Sequence, residues 1–164
     1  MGVSYSATPV NEFAKQADTA WLKAIGIELP IPIPPGRRPT AREIRGVLET
    51  SPNLRVGYQV EEWRWTADVT STANTDDQTF VSLSDFEGDE DQPLRVVFDK
   101  GSEQLIIQIA KGLSQLCGPL ILDNDVDGAP LLVNPDTEIV TAQKGWWIVS
   151  QKIAYLSANR KIGM

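Results

Sequence analysis

Histidine is absent from the chain and cysteine occurs once, at Cys117. Without imidazole there is no ordinary general base for a serine or cysteine nucleophile. There is also no His-ligated zinc, and one thiol cannot build a thiolate zinc site. A lone cysteine forms no internal disulfide, which fits a reducing compartment and leads to the expectation of a cytoplasmic protein. No apolar run reaches the ~18 residues a membrane helix needs. The N-terminal MGVSYSATPVNEF lacks the basic start and apolar stretch of a secretory signal. Its Met1-Gly2 start, with Ser6 downstream, matches only the minimal pattern of an acylation site. No glycine-rich loop follows a strand, which excludes a dinucleotide-binding fold of the Rossmann kind.

Acid exceeds base. Fifteen Lys and Arg face 22 Asp and Glu, a net charge of −7. That charge repels a phosphate backbone, and no basic stripe overrides it, so nucleic acid is not an expected partner. A basic protein is, because opposite net charges speed encounter. Neither a membrane nor a cofactor other than a divalent cation is expected.

With 164 residues, 41% of them hydrophobic, the chain suits one domain spanning 1–164. Residues 3–8 suit a short strand. Thr8-Pro9 then reads as a helix start, Thr8 as N-cap and Pro9 in the first helical position. Phe13, Ala17, Trp21 and Ala24 make one helical stripe that Gly26 ends. The five prolines of IELPIPIPPGRRP (27–39) predict an extended connector. Thr40-Ala-Arg-Glu43 is a capping box opening a helix that buries Ile44, Val47 and Leu48.

Residues 54–69 alternate in two phases. Val56, Tyr58 and Val60 share one parity; Trp63, Trp65, Ala67 and Val69 share the other. One long strand with a bulge at Glu61-Glu62 accounts for both. Strands over 79–86 and 94–98 complete a three-strand antiparallel meander. In the return strand, Val81 and Leu83 are expected on one face and Phe80 and Phe86 on the other. Ser102 caps a helix that presents Ile106, Ile109, Ala110, Leu113, Leu116 and Cys117, and Gly118-Pro119 stops it. Short strands follow at 120–122 and 131–133, then a helical pattern over 136–159. Helices and strands are grouped without βαβ alternation. The expected class is therefore α+β: a mainly antiparallel sheet, meander plus short strands, with helices packed on one face.

Four features could carry function. In Asp123-Asn-Asp125-Val-Asp127-Gly128, alternating acids on a tight loop offer oxygens to a hard cation such as calcium. These six residues resemble the first half of an EF-hand loop. The second half departs from it, with Asn134 at the twelfth position in place of glutamate and Pro130 within the loop. Asp136 or Glu138 is a possible late ligand. The same residues also suit a solvated turn between strands.

Asp85, Glu87, Asp89, Glu90 and Asp91 form an acidic run, either a solvated loop or an electrostatic dock for a basic partner. Inhibitors of cationic enzymes use the second logic, immunity proteins among them. Pro32-Ile-Pro-Pro35-Gly-Arg37 fits the PxxPxR pattern of SH3 ligands as well as a connector. Among the tryptophans, Trp63, Trp65, Trp146 and Trp147 suit core or interface. Trp146 and Trp147 are adjacent and cannot both face one core, so one of them is a candidate contact residue.

The leading expectation is a non-catalytic acidic interaction domain that binds, and in the inhibitor case blocks, a basic protein. Its candidate contacts are the 85–91 acids with Trp146 and Trp147. A calcium module on Asp123, Asp125 and Asp127 is the first alternative. The second is a hydrolase working with carboxylates alone, for which adjacent Glu61-Glu62 are poorly aimed because neighbours on a strand point apart. No catalytic residue is assigned, and a thiol at a helix C-terminus is not activated.

Overall fold

The computed structural model describes residues 3–162; Met1 and Gly2, with the acylation pattern they begin, lie outside it. Twelve elements follow one another: β1 (Ser4–Pro9), α1 (Val10–Gln16), α2 (Thr19–Ala24), α3 (Ala41–Thr50), β2 (Leu54–Glu61), β3 (Arg64–Ser71), β4 (Gln78–Leu83), β5 (Val96–Gly101), α4 (Glu103–Cys117), β6 (Leu120–Asn124), β7 (Pro130–Val133) and α5 (Ile139–Ile162). The strands form one sheet in the order β2-β3-β4-β5-β1-β6-β7, with every pairing antiparallel. The α+β expectation holds.

Two strand assignments differ from the sequence reading. The parity switch at Glu61-Glu62 is a reversal, not a bulge. Val60 pairs with Trp65 and Glu61 with Arg64, leaving Glu62-Trp63 as a two-residue hairpin loop. Neither loop residue has positive φ, so the Gly or Asn that usually marks such a turn is not required. The meander consequently has four strands, β2 to β5. Phe86 lies beyond the end of β4. Asp85 turns the chain with φ 63 and Phe86 enters the main core, while Phe80 stays half-buried on the other face.

The first helix also differs. Thr8 and Pro9 belong to β1, where they pair with Ile121 and Leu120, and Thr8 caps nothing. The helical stripe is broken at Ala17, and Asp18 accepts from the backbone N–H of Ala20 and Trp21 to cap α2. Strand pairing holds Thr8, and a second cap divides the stripe.

The core lies between the sheet and α3, α4 and α5. Tyr5, Ala7, Trp65, Ala67, Val69, Val81, Val96, Phe98, Leu120 and Leu122 face inward from the strands. From α4 come Ile106, Ile109, Ala110, Leu113 and Cys117, held by the Ser102 cap, whereas Leu116, at the edge of that stripe in the last turn, is 51% exposed. Gly112 permits α3 to approach α4: a Cβ there would stand 2.7 Å from Val47 Cγ1. The capping box of Thr40 and Glu43 is formed, and Ile44, Val47 and Leu48 are buried beneath it. No helix among the described residues is long and apolar enough to cross a membrane.

Candidate functional site

The acidic run is divided by the structure. Arg45 donates to Glu90 at 2.9 Å and Arg42 to Asp91 at 2.7 Å, and both carboxyls are held below their ordinary range by these guanidiniums. The Glu90 carbonyl also accepts the Arg42 N–H at 3.1 Å, one of the donors a helix start leaves unpaired. Arg45 lies over the Tyr58 ring, 4.3 Å from its centroid, and Tyr58 packs on Trp65 at 5.9 Å. Glu90 and Asp91 therefore fasten the loop to α3. Asp85, Glu87 and Asp89 remain exposed. Asp89 also accepts the Asp91 N–H at 2.9 Å, a local turn that leaves its second oxygen to solvent.

The hairpin tip of β2 and β3 meets this loop. A Cβ on Gly88 would stand 3.4 Å from the Glu62 carbonyl oxygen. Trp63, 70% exposed, sits at this tip between exposed Glu62 and Arg64, and the loop that meets the tip carries exposed Glu87 and Asp89. Periodicity places Trp63 with Trp65, Ala67 and Val69 on a core-facing set; the structure buries Trp65 and leaves Trp63 outside. Two consecutive glutamates at the parity switch were the available signal for the tip. The nearness of residue 62 to residue 88 is tertiary and had none.

Of the tryptophan pair, Trp146 is a core residue, 2% exposed, and not a contact residue. Its Nε1 donates to the Ala129 carbonyl at 2.8 Å and its ring packs on Tyr5 at 5.3 Å. Trp147 is 65% exposed on α5, whereas the acidic run lies in the loop between β4 and β5.

The 123–128 loop does not gather its acids. Asn124 Oδ1 accepts the N–H groups of Val126 and Asp127, Asp125 that of Ser4, and Asp127 that of Ala129. Asp123 lies on β6 and lines a cavity of about 370 Å³ with Ser6, Thr8, Phe13, Trp21 and Arg95. Burial raises its carboxyl, and Arg95 partly offsets this. Glu138 is spent at the start of α5 on the N–H of Thr141, at 2.6 Å. No cluster of three possible metal-ligating side chains occurs among the described residues. The geometry is that of a self-bonded turn.

Asp125 and Asp99 both accept from Ser4, the first from its N–H and the second from its hydroxyl. Asp68 and Asp99 line another cavity but flank Phe80 in register, about 9–10 Å apart across two strand spacings. The Arg37 of the proline segment is bound within the chain, to both oxygens of Glu43 at 2.6 Å. Arg38 pairs with Glu12. Cys117 is buried and its thiol is pushed up to about 11, chiefly by burial. No protein-family model, curated protein or solved structure matches this chain.

Proposed function

We propose that this chain is a non-catalytic interaction domain that binds a basic protein, in the manner of an inhibitor, through the acidic surface around Trp63. The supporting observation is the meeting of the Glu62-Trp63 tip with the 85–91 loop at Gly88. It brings the tip that carries exposed Glu61, Glu62, Trp63 and Arg64 against the loop that carries exposed Glu87 and Asp89. An exposed aromatic beside a mainly acidic surface combines two features of binding sites, the aromatic supplying area to bury and the charges steering encounter. The arginines of α3 that hold Glu90 and Asp91 keep the loop in place without neutralising the rest. The net charge of −7 supports a protein over a nucleic acid as partner. The single, unpaired cysteine is consistent with a cytoplasmic setting.

The test is capture from host lysate by the wild-type chain and by a variant carrying Glu62→Lys, Glu87→Lys and Trp63→Ala. A basic protein retained by the first, lost with the second and released by ~0.5 M salt is the expected result, since such pairing is screened by salt. Identical capture by both chains would sink the reading.

A further inference from the structure

α5 is apolar on two opposite faces. Ile139, Ala142, Trp146, Val149, Ile153 and Leu156 turn toward the core. Val140, Trp147, Ile148 and Tyr155 turn outward, 44, 65, 50 and 66% exposed. At 100° per residue the outer set spans one continuous stripe, which Lys144 and Gln151 complete. Burying the first set leaves the second uncovered, and solvated helices do not ordinarily carry such a stripe.

The stripe is symmetric about its own middle. Positions 140 and 155, 144 and 151, and 147 and 148 lie equally far from the midpoint between Trp147 and Ile148. Turned end over end, the face superimposes apolar positions on apolar ones, and Lys144 meets Gln151 instead of another lysine. Charge along the helix follows the same logic. Residues 139–162 contain Lys144, Lys152, Arg160 and Lys161 and no acid, while Asp136 and Glu138 immediately precede them. Antiparallel apposition sets the basic end of one helix beside the acidic approach of the other; parallel apposition sets like against like. The N-terminal half of α5 also borders a cavity of about 530 Å³ with Glu103 and Gln104, placed to receive the opposite helix's C-terminal half.

We propose that the outer face of α5 binds a second copy of this chain, antiparallel, about a two-fold axis between Trp147 and Ile148. A two-fold contact uses one patch on both partners and needs the self-complementarity this stripe has. The face is separate from the acidic surface around Trp63, and either proposal can fail alone. From Val140 to Tyr155 the stripe is about 24 Å long and ~10 Å wide. That is below the ~800 Å² per partner of a standard interface, so the dimer is weak and concentration-dependent.

Sedimentation velocity on the full chain, over about 10–500 µM, tests it. The mass should climb from 18.1 kDa toward twice that value, while Ile148→Asp, with an unchanged far-ultraviolet spectrum, stays at the monomer mass. Because Ile148 is half exposed, the variant is expected to fold. Should it not, cross-linking on the natural stripe decides: Val140→Cys mixed with Tyr155→Cys should form a disulfide dimer that neither variant forms alone. A mass independent of concentration overturns the proposal. So does cross-linking of Val140→Cys with itself at the mixed rate, or a monomer that instead binds phosphatidylserine vesicles through Trp147.

Discussion

Trp146 and Trp147 are neighbours in sequence with opposite fates, and the difference is measurable. Trp146 fills the core and its N–H is spent on Ala129; Trp147 meets solvent on the outer face of α5. Trp146→Ala should destabilise by about 3–5 kcal/mol, whereas Trp147→Ala should stay within about 0.5 kcal/mol in dilute solution. Urea unfolding measures both. Cys117 provides a second contrast. With a thiol buried and raised to about 11, almost no thiolate exists at pH 8. Alkylation should proceed only in denaturant; rapid labelling of the native chain would contradict the burial. Arg45 spans two roles, ion pair to Glu90 and cation over Tyr58. Arg45→Ala should cost about 1 kcal/mol, solvent screening included, and should loosen the 85–91 loop, readable as faster amide exchange there.

Elements here are held by positions where a side chain is forbidden and by caps. Gly101 ends β5 with φ 112, and a Cβ there would fall 1.9 Å from the Gln78 carbonyl oxygen. Gly101→Ala is expected to lose at least ~2 kcal/mol, since neither the backbone conformation nor the neighbouring chain can give. Gly46, inside α3, has open space at the same distance. Gly46→Ala should gain about 0.5–1 kcal/mol by helix propensity alone, a difference in sign that thermal unfolding reads directly. The β2–β3 hairpin and the split of α1 from α2 were the elements not legible in advance. In the first, a turn without glycine imitates a bulged strand, because both flip parity by one residue. In the second, Thr8 satisfies the N-cap rule and the sheet rule equally, and pairing with β6 takes it.

For the molecule as a whole, acid should be the weak side. Glu12, Glu43 and Glu90 are each held below their ordinary range by an arginine. Groups lowered in the folded state add stability above their unfolded value near pH ~4.3 and lose it as pH falls through the folded values. Asp123, raised by burial, has the opposite sign and offsets part of the loss. Tm should therefore be flat near neutrality and fall steeply below about pH 4, with a shallower fall in Arg45→Ala. Calcium offers a check at the same level. The 123–128 acids bond backbone amides rather than one another, so millimolar calcium should leave Tm unchanged; a rise would show that the loop reorganises around the ion.

Local rules were enough for the α+β class, the Thr40 capping box, the Ser102 cap, the end of α4 at Gly118 and the helical character of α5. Each depends on residues within a few positions, where spacing and backbone donors decide. The absence of imidazole, and with it the loss of ordinary acid–base and nucleophilic chemistry, was equally plain from composition. Tertiary structure alone decided which acids stay free. Glu90 and Asp91 meet arginines more than forty residues earlier, and Glu62 meets Gly88 from a hairpin turn that has neither glycine nor asparagine. It also decided which Trp of each pair faces water, because a helix or strand presents two faces and only packing against a distant element chooses between them.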